Sequence, residues 1–261
     1  MLVNIDKKAL EWRAAVCLSG DKIGTTEILD EIDFHSHNRD QFGLPTRFIA
    51  KIYLFRTIYR GPAWAFANDP QFSPVSSSTK FWQGVEDKFF EKYNGLDKWH
   101  KRLYEQYNRM GYVGTPSGRR YYIPLKKTKQ GLDLDKSAIT NYPVQGFSAD
   151  LVMLSRIVLF NRIKNLNKLG FKALLINSVH DSLLVDCPDE EVPVIVQNMY
   201  EVTDRIAPNS KKFFYFPLLV PIDGEVKIGK DYANMDEVKR NGDVLDKEGK
   251  VIYNISSFVR V

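Results

Sequence analysis

The chain has 261 residues, a formal net charge of +5, 44% hydrophobic residues and two cysteines. This is the composition of an ordinary globular protein long enough for one large domain or two small ones. No run approaches the roughly 18 apolar residues of a membrane span and the N-terminus lacks a signal-peptide pattern, so a cytoplasmic protein with no membrane partner is expected. The positive charge permits a polyanionic partner without demanding one.

In chain order, Leu2-Val3-Asn4-Ile5 reads as a short strand ending at Asp6, and Leu10 to Leu18 as a helix stopped by Ser19-Gly20. Cys17 falls in that helix and Cys187 far away beside apolar residues, as small buried hydrophobes do in a reducing compartment. Asp33 to Leu44 is polar and turn-rich. His35 and His37 within it are too close for the usual zinc spacing and no cysteine cluster joins them, so zinc is not expected. A strongly patterned helix follows from Arg47 to Tyr59, closed by Gly61-Pro62.

Residues 67 to 79 hold prolines and serines and read as a loop. An amphipathic helix then spans Lys80 to Tyr93, with Phe81, Val85, Phe89 and Tyr93 recurring every four residues as a packing face. Asn94-Gly95 separates it from a second helix, Leu96 to Met110. Tyr112-Val113 and Tyr121-Tyr122-Ile123 flank Ser117-Gly118 as a hairpin, and Lys126, Lys127 and Lys129 form a basic loop. A helix from Gly146 to Leu169 stops at Gly170. Two apolar strands, Ala173 to Val179 and Ser182 to Cys187, are separated only by His180-Asp181; a helix from Val192 to Ile206 follows. The tail after Asp236 reads as a strand pair around Lys247-Glu248-Gly249.

Two constellations carry chemistry. An Asp in a tight turn, such as Asp181, is a turn residue in most proteins. A second Asp at the end of the first strand, Asp6, changes its meaning: carboxylates on neighbouring strands can bridge a pair of Mg²⁺ ions about 4 Å apart. The helix with Arg47, Lys51, Phe55 and Tyr59 places a residue every four positions, each step turning the face by only about 40°. Two cations followed by two rings suit the phosphates, sugar and base of a nucleoside triphosphate. A solvated amphipathic face has the same pattern.

Three blocks in this order resemble the polymerase motifs of the DNA polymerase I family, the family A DNA polymerases. They are Asp6-Lys7-Lys8-Ala9-Leu10-Glu11-Trp12-Arg13 with Leu18-Ser19-Gly20-Asp21 and Asp33-Phe34-His35; the Arg47, Lys51, Phe55, Tyr59 helix with Gly61; and Val179-His180-Asp181. Between them, Gly111-Tyr112-Val113 with Thr115 and Gly118-Arg119-Arg120, and Asn141-Tyr142-Pro143-Val144-Gln145-Gly146 with Ala149-Asp150, resemble two further family segments. The resemblance covers residues 2 to 238.

It implies an α+β fold, a right-hand polymerase palm with an antiparallel sheet and helical fingers, without thumb and N-terminal palm. The implied divisions are residues 1–32 and 137–238 as palm, 33–136 as fingers and 239–261 as a C-terminal extension. Asp6, Asp181 and the backbone carbonyl of Lys7 would hold two Mg²⁺ ions for transfer of a dNTP to a primer 3′-hydroxyl. Arg47, Lys51 and His35 would hold the triphosphate, with Phe55 beside it and Tyr59 near the templating base. Glu11 would exclude a ribose 2′-hydroxyl. Arg119, Asn141, Gln145 and His180 would contact primer-template DNA. The sequence departs from the family at Ala9, Arg60, Ser137 and Ser182.

Family members carry further palm, a thumb and often an exonuclease before the segment matching Asp6, and a strand at Leu2 needs sheet neighbours. The expectation is a split polymerase of phage or bacterial replication, its missing parts on a second polypeptide. A single-subunit RNA polymerase and a non-catalytic DNA-binding relic are the alternatives.

Overall fold

The computed structural model describes residues 1–128 and 131–258; Lys129 of the basic loop lies outside them. In chain order come strand β1 (Leu2–Lys7) and helices α1 (Leu10–Ser19), α2 (Lys22–Leu29), α3 (Phe34–Phe42), α4 (Arg47–Thr57), α5 (Ala63–Asn68), α6 (Thr79–Lys92) and α7 (Asn94–Met110). Short strands β2 (Val113–Gly114), β3 (Arg120–Tyr121), β4 (Lys126–Thr128) and β5 (Gly131–Asp133) precede the long helix α8 (Lys136–Asn167). Then follow β6 (Leu174–Val179), β7 (Ser182–Asp186), α9 (Val192–Asp204) and α10 (Ile206–Phe214). Strands β8 (Gly224–Gly229), β9 (Asp236–Val238), β10 (Asp243–Leu245) and β11 (Val251–Asn254) end the chain. The α+β class with an antiparallel sheet is the one expected. The chain divides into a sheet unit, residues 1–10 with 148–261, and a helical unit, residues 11–147.

In the sheet unit, seven strands lie in the order β11-β10-β9-β8-β1-β7-β6, every adjacent pair antiparallel. Strand β1 is interior, with Val3, Ile5 and Lys7 all buried. The premise that β1 lacks sheet neighbours fails: β7 and β8 flank it from within this chain. Sequence reading missed β8 because glycines bracket it, although Gly224, Val226 and Ile228 alternate inward at the strand period of two. Helix α9 covers β1 and β8 with Val192, Ile195, Val196 and Met199. Strands β6 and β11 are the two edges of this sheet. Cys17 and Cys187 are buried free thiols, as expected.

The helical unit is built on aromatic packing. Tyr53, Phe66, Phe72 and Trp82 form one cluster, with ring centroids 4.8 to 5.6 Å apart. Trp12 stacks on Phe34 at 4.2 Å and meets Tyr93 edge-on at 4.9 Å. On α6 the core position expected for Phe81 belongs instead to Trp82, fully buried, while Phe81 is exposed. A buried carboxylate, Glu27, pairs with Lys92 at 2.7 Å and accepts from the Tyr93 hydroxyl at 2.6 Å, so its charge is matched. Asp21 caps α2 through Gly24 N and also accepts from Leu96 N in the first turn of α7.

Two expectations are corrected here. Residues 33–44 were expected to be turn-rich but contain α3, because Asp33 caps its start, Gly43 ends it at φ 68°, and Phe34, Asn38 and Phe42 bury one face. Helix α8 begins at Lys136, not Gly146, and runs through Pro143. Asp135 accepts from Ala138 N at 3.1 Å and starts it; burial of Ile139, Val144 and Phe147 outweighs the bond that proline forfeits. By length and composition α8 could cross a membrane, but 56% of its most apolar stretch is buried, as in a core helix.

Candidate active site

Within the sheet unit, the chemistry gathers at one end of the central strands. Asp6 lies opposite Ser182 on β7 and opposite Glu225 on β8. Val179 pairs with Ser182, leaving His180 and Asp181 as a two-residue loop, with Asp181 beside Asp6 in the neighbouring strand. The Asp6 carboxyl is pushed above the ordinary carboxylate range by burial and then by the Asp181 charge; Lys227 opposes this. Glu225 and Lys227 form an ion pair at 3.4 Å.

Lys7 faces the opposite side of β1 from Asp6, as strand alternation requires. Its side chain is 1% exposed and Nζ donates to Thr203 Oγ1 at 3.2 Å. Burial brings its pKa down to about 8 against the pull of Asp6, Asp181 and Asp223. The side chain therefore belongs to the supporting layer, and only the backbone of Lys7 is left for ligand contact. Ser182, in place of an acidic residue, donates to Val179 O at 2.9 Å and closes the hairpin loop. His180 is exposed with φ 52°, a left-handed conformation that costs a non-glycine residue energy.

Among the described residues no three His, Cys, Asp or Glu converge as a metal-ligand group. The donors present are hard carboxylate oxygens, suited to Mg²⁺ rather than zinc. The repulsion that raises Asp6 is what a bound cation relieves, so the pair fits a hard divalent ion. Sequence reading missed Glu225 and Lys227; the alternation of Gly224 to Gly229 was the available signal.

In the helical unit, Thr46 caps α4 through Ile49 N at 3.1 Å. Ala50, Tyr53, Leu54 and Thr57 bury one face, while Arg47, Lys51 and Phe55 are exposed on the other and Tyr59 is half-buried. His35 stacks on Phe55 at 6.1 Å, and its pKa falls to about 4 through burial and the nearby Arg47 charge. Arg47 is engaged: Nε and Nη2 donate to the two Asp33 carboxylate oxygens at 2.9 and 3.2 Å. That pairing holds the Asp33 carboxyl well below its usual range. Lys51 stays exposed on the same face of α4.

The Tyr59 hydroxyl donates to Glu11, fixing the carboxylate on α1 against α4; burial and that charge push the phenol upward. Arg60, a departure from the family, turns the chain at φ 57°, stacks its guanidinium 3.5 Å over Phe90 and pairs with Asp97. It anchors the end of the α4 segment to α6 and α7. Asn141 and Gln145 lie one turn apart on α8, half-buried and exposed respectively, and Arg119 is exposed in the β2–β3 hairpin. Each unit thus gathers its own share of the expected residues: Asp6, Lys7, His180 and Asp181 in one, the remainder in the other.

A profile of DNA polymerase family A matches residues 1–234. The chain belongs to this family. It is 27% identical over 242 residues to the thermostable DNA polymerase I of Thermus aquaticus, covering 91% of this chain and 27% of that one. It is 23% identical over 259 residues to the DNA polymerase of Bacillus phage SP01, again covering 27% of that relative. The POL domain of Pol1 from M. smegmatis, solved with DNA primer-template and dNTP, shares the family A fold at a TM-score of 0.74 and 24% identity. That match covers 88% of this chain and 39% of the solved one. The chain therefore spans about a quarter of the length of the polymerases it matches.

Proposed function

We propose that this chain carries the nucleotidyl-transfer centre of a DNA polymerase acting in DNA replication, adding dNTPs to a primer 3′-hydroxyl on a DNA template in the cytoplasm. The observation that carries this reading is the register that sets Asp181 beside Asp6, within a family match running from residue 1 to 234. Asp6, Asp181 and the Lys7 carbonyl would hold two Mg²⁺ ions, which when bound lower the pKa of an attacking hydroxyl and neutralise charge on departing pyrophosphate.

The chain's own residues supply binding and orientation. Lys51 and Arg47 take the triphosphate, Arg47 exchanging or sharing its Asp33 partner, and neutral His35 donates a hydrogen bond without adding charge. Phe55 supports the sugar, and Tyr59 stands by the templating base. Glu11, held by Tyr59, presents a fixed carboxylate where a ribose 2′-hydroxyl would intrude. Arg119, Asn141, Gln145 and His180 contact the primer-template. A second polypeptide supplies the thumb, the rest of the palm and, where proofreading occurs, the exonuclease.

Primer extension with dNTPs and Mg²⁺ tests the reading, using the protein with its co-purifying partners and an Asp181→Ala control. Extension abolished by the substitution supports it. Equal incorporation of rNTPs would favour the RNA polymerase alternative, and absence of extension with folded partners would favour the relic.

A further inference from the structure

On the face of the sheet that carries Asp6, strand β8 adds two further charges. Asp6 lies between Ser182 and Glu225, and one pleat farther from the hairpin loop Asn4 lies between Leu184 and Lys227. Directly opposed residues, and residues two apart on a strand, share a face, so Asn4, Asp6, Glu225 and Lys227 form one patch. The two neighbours of Asp6 differ: Ser182 is neutral and spends its hydroxyl on Val179 O, whereas Glu225 is a carboxylate. Glu225 does not converge on Asp6 and Asp181, because Lys227 draws it along its own strand in a 3.4 Å ion pair. The two side chains are 31% and 41% exposed, and a pair so long and so open holds weakly. Lys227 has a second acceptor in its own row. Asn4 is 7% exposed, and its Oδ1 has no hydrogen-bond partner among the described residues. A buried acceptor without a donor is an exception in folded proteins and calls for a reason. On the other side of Lys227, Glu237 of β9 is taken by Lys239 at 2.5 Å. After burial and Asp181, Lys227 and then Glu225 act most strongly on the Asp6 carboxyl, in opposite directions.

Resting on the metal-binding reading of Asp6 and Asp181 above, we propose that Glu225 is a third carboxylate of the cation site and that Lys227 positions it, exchanging between Glu225 Oε1 and Asn4 Oδ1. With Lys227 on Glu225, as here, the carboxylate is neutralised and held along β8. With Lys227 on Asn4, the buried amide oxygen gains its donor and Glu225 is released to face a hard divalent cation beside Asp6. The ammonium stays charged in both arrangements and no proton moves. Lys227 is thus a positioning residue: it acts on the cation through Glu225.

The test titrates Mn²⁺ into the full chain without nucleotide or DNA and reads free Mn²⁺ by electron paramagnetic resonance. Glu225→Gln should weaken binding roughly tenfold. Glu237→Gln, the same charge change one strand farther from Asp6, should leave it unchanged. Lys227→Met should tighten binding roughly threefold, and the gain should vanish in the Glu225→Gln background. Asn4→Leu, which removes the second acceptor, should weaken binding roughly threefold, but not when residue 227 is already substituted by Met. Lys227→Arg keeps the charge and the reach and should bind Mn²⁺ as the wild type does, which separates a lost exchange from a damaged fold. The proposal is overturned by no Mn²⁺ binding in the wild type, by unchanged binding in Glu225→Gln, or by equal weakening in Glu237→Gln. Tightening by Lys227→Met that persists without Glu225 overturns it too, since Lys227 would then act on the ion by charge alone. Asp181→Asn keeps the two readings apart. Wild-type affinity in that variant defeats the two-aspartate site whatever Glu225 does, whereas its loss there with full binding in Glu225→Gln defeats only the third carboxylate.

Discussion

Individual residues carry opposite physical burdens at this site. Asp6 and Asp181 repel each other, and burial adds to the strain on Asp6. Asp181→Asn should abolish extension while leaving the chain equally or slightly more stable, by up to about 1 kcal/mol in urea denaturation, because a like-charge contact is removed. His180 sits at φ 52° in a hairpin loop where glycine would be unstrained. His180→Gly should raise stability by about 1 kcal/mol and weaken primer-template binding, measured by denaturation and by fluorescence anisotropy. Glu11 is fixed by the Tyr59 hydroxyl. If Glu11 takes its proposed place against a 2′-hydroxyl, Glu11→Ala should lower dNTP-over-rNTP selectivity by roughly tenfold or more in kcat/KM.

At the scale of elements, close approach explains why some positions admit no side chain. A Cβ on Gly146 of α8 would come within 1.9 Å of the Tyr121 hydroxyl of β3. Gly146→Ala should destabilise the helical unit by about 1–3 kcal/mol, and combining it with Tyr121→Ala should recover part of the loss, read as a double-mutant cycle in urea. The same elements show where sequence reading succeeds and where it stops. Helices α4, α6 and α7 were legible because apolar residues recur at the helical period and caps mark their ends. Helix α3 was not, since most of its residues are polar and its stability comes from an Asp cap and two buried rings. The early start of α8 was hidden by Asn141-Tyr142-Pro143, which locally reads as a break.

For the whole molecule, acid stability follows from two histidines kept neutral by the fold. Burial holds His100 down to about 3 and His35 down to about 4. Arg60 Nε donates to His100 Nδ1 at 3.2 Å, so protonating that nitrogen means losing an acceptor beside a cation. Folded pKa values below the unfolded value of about 6.5 mean that the unfolded chain binds protons first on acidification. Stability from these residues is complete above pH 6.5 and is lost as pH falls through about 4 and then 3. Denaturation at pH 7, 6 and 5 should show decreasing stability, with a smaller decrease in His100→Asn, whose amide oxygen keeps an acceptor for Arg60.

The order of short motifs, from Asp6 through the Arg47 to Tyr59 helix to Asp181, was enough by itself to point to a family and to mark the carboxylate pair, because local spacing and residue chemistry are written along the chain. That β8 flanks β1 was not, because this pairing joins residues more than 200 positions apart, as Asp6 and Glu225 are. The same long-range pairing decided that Lys7 turns its ammonium into the supporting layer and that β6 rather than β1 is left at the edge of the sheet. Sequence determines which groups are available; register and packing decide which of them face one another, since a one-residue change of register sends every side chain of a strand to the opposite face.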